Sequence, residues 1–238
     1  IRDGNGAADA WLWSADSGNS ALVSRSSASA TTTASGSVSA VQLSIDGNWV
    51  GYATSATNVV AGVADANGAD DVFRWSRVGG STELVSAAAA NPMQTGNGGS
   101  TVLHVSLDGA WTTIWSGSTN LVPGQSDANA AFDLFVRDHA AANTVLVSRA
   151  DDVAGQTPAS VSYLSDATDD ARFVLVSSHA SDIGGGVNDA NGVGSDVFVF
   201  DRVAQTTRLV SHKAGDPVTT PTDSTASFAG ALSADGRW

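Results

Sequence analysis

The sequence repeats itself with a period of about 62 residues, and three landmarks recur in a constant order. An acidic loop leads into an aromatic segment, the tripeptide Leu-Val-Ser follows, and a Ser-x-Asp-Gly-x-Trp segment comes last. A repeat of this length cannot bury its apolar face alone, so successive copies must stack on one another. The third landmark occupies 44–49, 106–111 and 233–238, with a degraded copy at 168–173.

Each copy is predicted to fold into strands joined by turns. Of the 24 acidic residues, Glu83 is the one glutamate, and aspartate favours turns whereas glutamate favours helices. The 25 glycines support the same interpretation, and no convincing helical segment is present. In the copy at 100–148, four short β-type runs at 101–106, 111–115, 134–138 and 144–148 surround one long loop.

Four short strands in sequence predict an antiparallel meander, and radial stacking of such meanders gives a β-propeller. A β-helix would have a shorter repeat, and tandem β-sandwiches would need about 100 residues in each unit. The fold class is therefore all-β, a β-propeller of four-stranded antiparallel blades, with Trp49, Trp111 and Phe173 at equivalent positions.

The whole chain, 1–238, is predicted to be one propeller segment with an incomplete ring, so we expect it to continue in a longer polypeptide. A partial blade is expected at 1–25, and one strand with the entry to a further blade at 226–238. The predicted full blades are 38–86, 100–148 and 160–211.

The Ser-x-Asp-Gly-x-Trp segments resemble the hallmark of TolB-like (WD-type) propeller repeats. The segments at 120–129 and 133–138 resemble a secreted bacterial branch of that superfamily. The resemblance implies an extracytoplasmic location, whether periplasmic, cell-surface or secreted. It also implies roles such as interaction protein, peptidase gating domain or part of a large surface protein. The third full copy departs from the pattern, because Ala171 replaces the turn glycine and one residue is inserted before Asp196.

Charge and composition exclude several classes of partner. The formal net charge is −13 with one lysine, so the surface repels phosphate backbones and nucleic acid is not an expected partner. Divalent cations and basic protein surfaces fit better. The absence of cysteine excludes disulfides and thiolate metal sites. No apolar run is long enough to span a bilayer, so no transmembrane segment is predicted.

The acidic loops are candidate calcium sites, because each has the form Asp-x-Asn-x-x-x-Asp, with one extra residue in the fourth copy. Ca²⁺ takes six to eight oxygen ligands in irregular geometry. The alternative is an Asx-turn, in which the same side chains bind nearby backbone amides. The candidate ligands are Asp3, Asn5 and Asp9; Asp65, Asn67 and Asp71; Asp127, Asn129 and Asp133; and Asp189, Asn191 and Asp196.

The other chemically distinctive residues favour structural roles. The four histidines occupy non-equivalent repeat positions without a metal signature, and no nucleophile elbow, P-loop or dinucleotide turn is present. The aromatic residues of the third strands are predicted to pack between blades, as are Trp49 and Trp115. These residues are Trp11, Trp13, Phe73, Trp75, Phe135, Phe198 and Phe200.

The sequence therefore favours a non-catalytic propeller that acts as a scaffold or binding module of a secreted or cell-surface protein. Its expected partners are other proteins or the remainder of its own polypeptide. The alternative is a propeller that gates a serine hydrolase domain located outside this sequence.

Overall fold

The computed structural model describes residues 1–192, 194–222 and 226–237. Within these ranges the chain forms sixteen β-strands and no helix, so no element there is a helix able to cross a membrane. A two-stranded sheet, here called the half blade, consists of β1 (Trp11–Trp13) and β2 (Ser20–Leu22). The first blade consists of β3 (Val38–Leu43), β4 (Trp49–Thr54), β5 (Asp71–Ser76) and β6 (Thr82–Leu84).

A short hairpin follows the first blade and precedes two further blades. It consists of β7 (Ala87–Ala88) and β8 (Asn91–Thr95), which the sequence did not predict. The second blade consists of β9 (Ser100–Val105), β10 (Trp111–Ser116), β11 (Asp133–Asp138) and β12 (Asn143–Leu146). The third consists of β13 (Ser162–Ala167), β14 (Phe173–Ser178), β15 (Asp196–Asp201) and β16 (Thr206–Leu209).

All three blades are antiparallel meanders in chain order. Each first strand carries a register shift against the second, as at Thr113/Ile114 in the second blade, whereas the pairing of second and third strands is continuous. The prediction of a propeller of four-stranded antiparallel blades is confirmed, and the blades do not close a ring.

The apolar core lies between consecutive blades rather than within one. Successive strand residues face opposite sides of a sheet, so a central strand packs against both neighbours. Phe135 of β11 packs in a cluster with Ile114 and Val72, towards the first blade. Leu134 packs in a different cluster with Phe198, towards the third blade. Stacking of repeats therefore buries the core, as the period predicts.

The half blade shows what an uncovered face looks like. Trp11 and Trp13 were predicted to pack between blades, but their exposed fractions are 48% and 63%. The equivalent Phe73 and Trp75 are each only 3% exposed, because the half blade covers them. No described residue forms a sheet against the face that carries Trp11 and Trp13, so the prediction is wrong for these two side chains.

The Ser-x-Asp-Gly-x-Trp segment also joins neighbouring blades. Trp49, Trp111 and Phe173 are each the first residue of a second strand, which confirms their predicted equivalence. The Trp49 ring lies on the turn glycine of the next blade, since a Cβ built on Gly109 would be 2.1 Å from Trp49 Cδ1. A Cβ on Gly236 would be 2.2 Å from Phe173 Cδ2.

The segment after the third blade differs from the prediction. One strand was expected at 226–238, but the described residues 226–237 form none. Ser227 N donates to Ser195 O at 2.6 Å, and Leu232 N donates to Asp166 Oδ2 at 2.6 Å. Isolated hydrogen bonds of this kind do not make a ladder, which needs a continuous neighbouring strand. The turn at Ser233 forms nevertheless, while Trp238 lies outside the described residues.

Candidate functional site

The acidic loops lie between the second and third strands of each blade, and the first aspartate of each loop caps a turn. Asp65 Oδ1 accepts hydrogen bonds from the backbone N–H groups of Asn67 and Gly68, at 2.9 and 2.8 Å. This is the geometry of an Asx-turn. Asp3, Asp127 and Asp189 accept the same pair of hydrogen bonds in their own loops.

The asparagine of the loop fastens it to the connection that leads into the next blade. Asn67 Nδ2 donates to Gly96 O at 2.7 Å and Gly98 O at 3.1 Å, while its Oδ1 accepts from Ala69 N at 2.6 Å. These partners fix which end of the amide carries nitrogen. Asn5 donates in the same way to the carbonyl oxygens of Ala34 and Gly36, and Asn129 to those of Pro158 and Ser160.

The last aspartate of the loop binds the serine of Leu-Val-Ser, which the sequence had left without a role. Ser86 Oγ donates to Asp71 Oδ1 at 3.1 Å and accepts from Val72 N at 3.0 Å. Asn67 Nδ2 also lies 3.3 Å from Asp71 Oδ1. The corresponding serine–aspartate pairs are Ser24 with Asp9, Ser148 with Asp133 and Ser211 with Asp196.

The inserted residue of the fourth loop does not separate the last two candidate ligands. Asn191 Nδ2 lies 3.3 Å from Asp196 Oδ1, compared with 3.5 Å between Asn129 Nδ2 and Asp133 Oδ1. The second, third and fourth loops thus each bring their asparagine and last aspartate together, whereas the first aspartate of every loop faces backbone amides.

The residues present do not fit a calcium site as they are arranged. The Oδ1 atom of Asp65 already accepts hydrogen bonds from two backbone N–H groups. The Oδ1 atom of Asn67 accepts from Ala69 N, and its NH₂ group, not an oxygen, faces Gly96 O and Asp71 Oδ1. A cation needs lone pairs that converge on one point. Across the described ranges, no group of three or more His, Asp or Glu side chains is placed to hold a metal ion. Calcium binding therefore stays a prediction, and the contacts match the Asx-turn alternative.

Burial raises the pKa of Asp71 to about 7 and that of Asp133 to about 7. The pKa of Asp196 is also raised, again because the carboxyl is buried. Hydrogen bonds from the serine and asparagine partners act in the opposite direction but do not offset the burial. Asp71 and Asp133 are therefore carboxyl groups that we expect to titrate near neutral pH in the folded protein.

We expect the protein to lose stability as the pH rises from 5 to 8 in the presence of a chelator. A carboxyl whose folded pKa exceeds its unfolded pKa contributes stability below the unfolded value, and that contribution is lost through the folded value, near 7. The loss is about 2 kcal/mol each for Asp71 and Asp133, whose folded pKa is about 7. The lowered pKa values of His104 and His139, caused by burial, act in the opposite direction over this range.

The variant Asp71→Asn isolates the effect, because an amide oxygen can still accept from Ser86 and does not titrate. Its unfolding free energy, measured by denaturant titration, should vary less with pH than that of the parent protein and exceed it at pH 8. Equal pH dependence in the two proteins would show that Asp71 is ionised in the folded state throughout this range.

A second polar cluster lies between the first and second blades. Glu83 accepts from Arg74 Nε and lies 2.8 Å from His139 Nδ1, while His139 Nε2 lies 2.8 Å from Thr112 Oγ1. Since a carboxylate only accepts, His139 Nδ1 carries the hydrogen and Nε2 accepts from Thr112. Burial lowers the pKa of His139, which is therefore locally satisfied and neutral. The sequence contained no signal for this contact.

No protein-family model matches the sequence, and no curated protein matches it. Several solved structures are similar to this chain. TolB from Acinetobacter baumannii is 10% identical, with a TM-score of 0.43, over 85% of this chain and 37% of that chain. The putative TolB from Agrobacterium tumefaciens is 16% identical, with a TM-score of 0.43, over 86% and 53%.

A third similar structure is the β-propeller domain of the Trilobed protease from Pyrococcus furiosus. It is 10% identical, with a TM-score of 0.42, over 72% of this chain and 41% of that chain. TolB, which the sequence resembles, is thus among the similar structures. The chain spans well under two thirds of the length of each of these three proteins.

Proposed function

We propose that this chain is a non-catalytic propeller module of an extracytoplasmic bacterial protein, and that it serves as a scaffold that binds other proteins. The observation that carries the proposal is the use of the acidic loops. Each loop caps its own turn and also binds the connection to the next blade, as Asn67 does through Gly96 and Gly98. Because the same contacts recur from one copy of the repeat to the next, they hold consecutive blades together. The outer edges of the loops stay exposed and can contact a partner.

The charge of the module indicates the kind of partner. The net charge is −13, and the first aspartates of the second and third loops, Asp65 and Asp127, remain half-exposed. An acidic surface favours a basic surface on a partner and raises the association rate by steering. The partner is a basic protein surface, either on another protein or on the remainder of the same polypeptide.

Binding of a lysine- and arginine-rich peptide, measured by isothermal titration calorimetry, tests this function. We expect binding that weakens about tenfold or more on raising the salt concentration, because exposed charge pairs are screened. An acidic peptide of equal length should not bind. The decisive variant replaces the first aspartate of the second, third and fourth acidic loops by asparagine, which keeps the acceptor oxygen of each turn. Its substitutions are Asp65→Asn, Asp127→Asn and Asp189→Asn.

A control variant with the same net charge separates local from overall electrostatics. It carries Asp16→Asn, Asp151→Asn and Asp216→Asn, at positions outside the acidic loops. Loss of affinity in the loop variant alone supports the proposal. Equal affinity in both variants, or the absence of salt-sensitive binding in the parent protein, contradicts it.

The hydrolase-gating alternative stays a prediction. A Gly-x-Ser-x-Gly segment elsewhere in the same polypeptide would support it.

A further inference from the structure

Arg137 breaks the repeat at a position that is otherwise aromatic. It lies on β11 and pairs with Thr112, and the equivalent pairs are Trp75 with Val50 and Phe200 with Val174. Trp75 and Phe200 are 3% and 0% exposed. A charged residue at a core position of a repeat is a departure that packing alone does not explain.

The hydrogen bonds of Arg137 are incomplete. Its Nη1 donates to Thr144 Oγ1 at 3.2 Å, but its Nε is buried and has no partner among the described residues. Arg137 forms no ion pair in the described part of the chain, because Glu83 is engaged by Arg74 and His139. Buried donors in native proteins nearly always have a partner, so an unpaired guanidinium N–H indicates a missing acceptor.

Arg137 lines two adjoining clefts between the first and second blades, with volumes of about 220 and 150 Å³. Pro92 and Ala142 line both clefts as well. The walls of the larger cleft are mainly apolar and include Val63 and Leu84. The space suits a small ligand, since sites for drug-sized molecules are larger, at about 300 Å³ or more.

Two of the chain's few cationic side chains, Arg74 and Arg137, lie together at this cleft. Arg74 and Arg137 are cationic, Glu83 is anionic and the buried His139 is neutral, while the carboxylates of Asp108 and Asp138 act on Arg74 and Arg137 from outside the cluster. What favours an anion here is the guanidinium of Arg137, which has a donor without a partner among the described residues. The planar fork of a guanidinium matches the two oxygens of a carboxylate better than it matches a spherical ion.

We propose that the larger of the two clefts, here called the Arg137 cleft, binds a carboxylate carried on a short apolar body. The carboxylate accepts hydrogen bonds from Arg137, and the apolar body packs against Val63 and Leu84. Two sources share this chemistry: a free short-chain carboxylic acid, and the C-terminal carboxylate of a peptide that ends in an apolar residue. The site is distinct from the acidic loops.

Nuclear magnetic resonance on the full chain tests the proposal through the Nε–Hε signal of Arg137. Isovalerate and acetyl-Gly-Val, a dipeptide with a free C-terminus, are the two probes. We expect saturable shifts with at least one, and binding about tenfold weaker or more for the corresponding uncharged amides, given the strength of charge-assisted hydrogen bonds. Tighter binding of the peptide identifies a chain terminus as the source, and tighter binding of isovalerate a free acid.

Arg137→Leu should abolish binding and keep the fold, because the repeat accommodates an apolar side chain at this position. Arg137→Lys keeps the charge but not the fork, so it should bind about tenfold more weakly. Arg208→Leu, an equal charge change at an exposed position, should bind as the parent does. The proposal is overturned if neither probe gives a saturable shift, if chloride or phosphate binds as tightly, or if a folded Arg137→Leu retains binding.

Discussion

Replacing Gly109 with alanine should destabilise the protein by about 3 kcal/mol or more, whereas the same change at Gly47 should cost about 1 kcal/mol. Both glycines are the turn residue of the same landmark and have nearly equal positive φ angles, 70° and 68°. A methyl group at Gly109 would meet the Trp49 ring at 2.1 Å, but one at Gly47 has nothing within 4 Å. The difference between the variants therefore measures packing between blades.

Trp49 has little freedom to move away from a new methyl group. The guanidinium of Arg74 lies 4.1 Å from its ring centroid and also donates to Gly109 O. Displacing the ring would disturb both the cation–π contact and this hydrogen bond. Insertion of a methyl group into such a contact typically costs about 1–3 kcal/mol, in addition to the cost of the backbone conformation.

Denaturant titrations of the two variants and of Trp49→Ala provide the measurement. In the double variant Trp49→Ala with Gly109→Ala, the cost of the alanine should fall to the value found at Gly47, since the obstructing ring is gone. If Gly109→Ala and Gly47→Ala lower the free energy of unfolding of the parent protein by the same amount, the packing of Trp49 on the turn at Gly109 does not hold the blades together.

Asn67→Asp should have the other large effect, a loss of about 3–5 kcal/mol in the presence of a chelator. The substitution replaces an NH₂ group by a carboxylate oxygen that faces Gly96 O, Gly98 O and Asp71 Oδ1. Two donated hydrogen bonds become repulsive oxygen contacts. Asp65→Asn keeps the acceptor for its two backbone amides and should cost less than about 1 kcal/mol.

The same pair of variants decides whether calcium binds the acidic loops. If the loops are Asx-turns, added calcium chloride should leave the melting temperature of the parent and of both variants unchanged. If they bind calcium, chelation should lower the melting temperature of the parent protein. Calcium should then rescue Asn67→Asp, because a carboxylate is a good calcium ligand, and should act less on Asp65→Asn.

The order of strands and the stacking of units followed from the sequence because both depend on local chemistry repeated at a constant spacing. Asp-Gly turns and β-type runs predict strands without reference to distant residues. The period then places Trp49, Trp111 and Phe173 at equivalent points, and the structure agrees. The face occupied by Trp11 and Trp13 could not be predicted in this way, because exposure depends on whether a neighbouring blade covers it.

The roles of the polar side chains were decided only by the tertiary structure. Sequence spacing presented Asp65, Asn67 and Asp71 as a row of oxygen atoms, equally suited to a cation and to a turn. Folding brings carbonyl groups about 30 residues away against Asn67, which turns its amide nitrogen inwards, and brings Ser86 against Asp71. The unpaired N–H of Arg137 has the same origin. A hydrogen bond depends on the direction and distance of a partner, and a partner remote in sequence acquires both only when the blades pack.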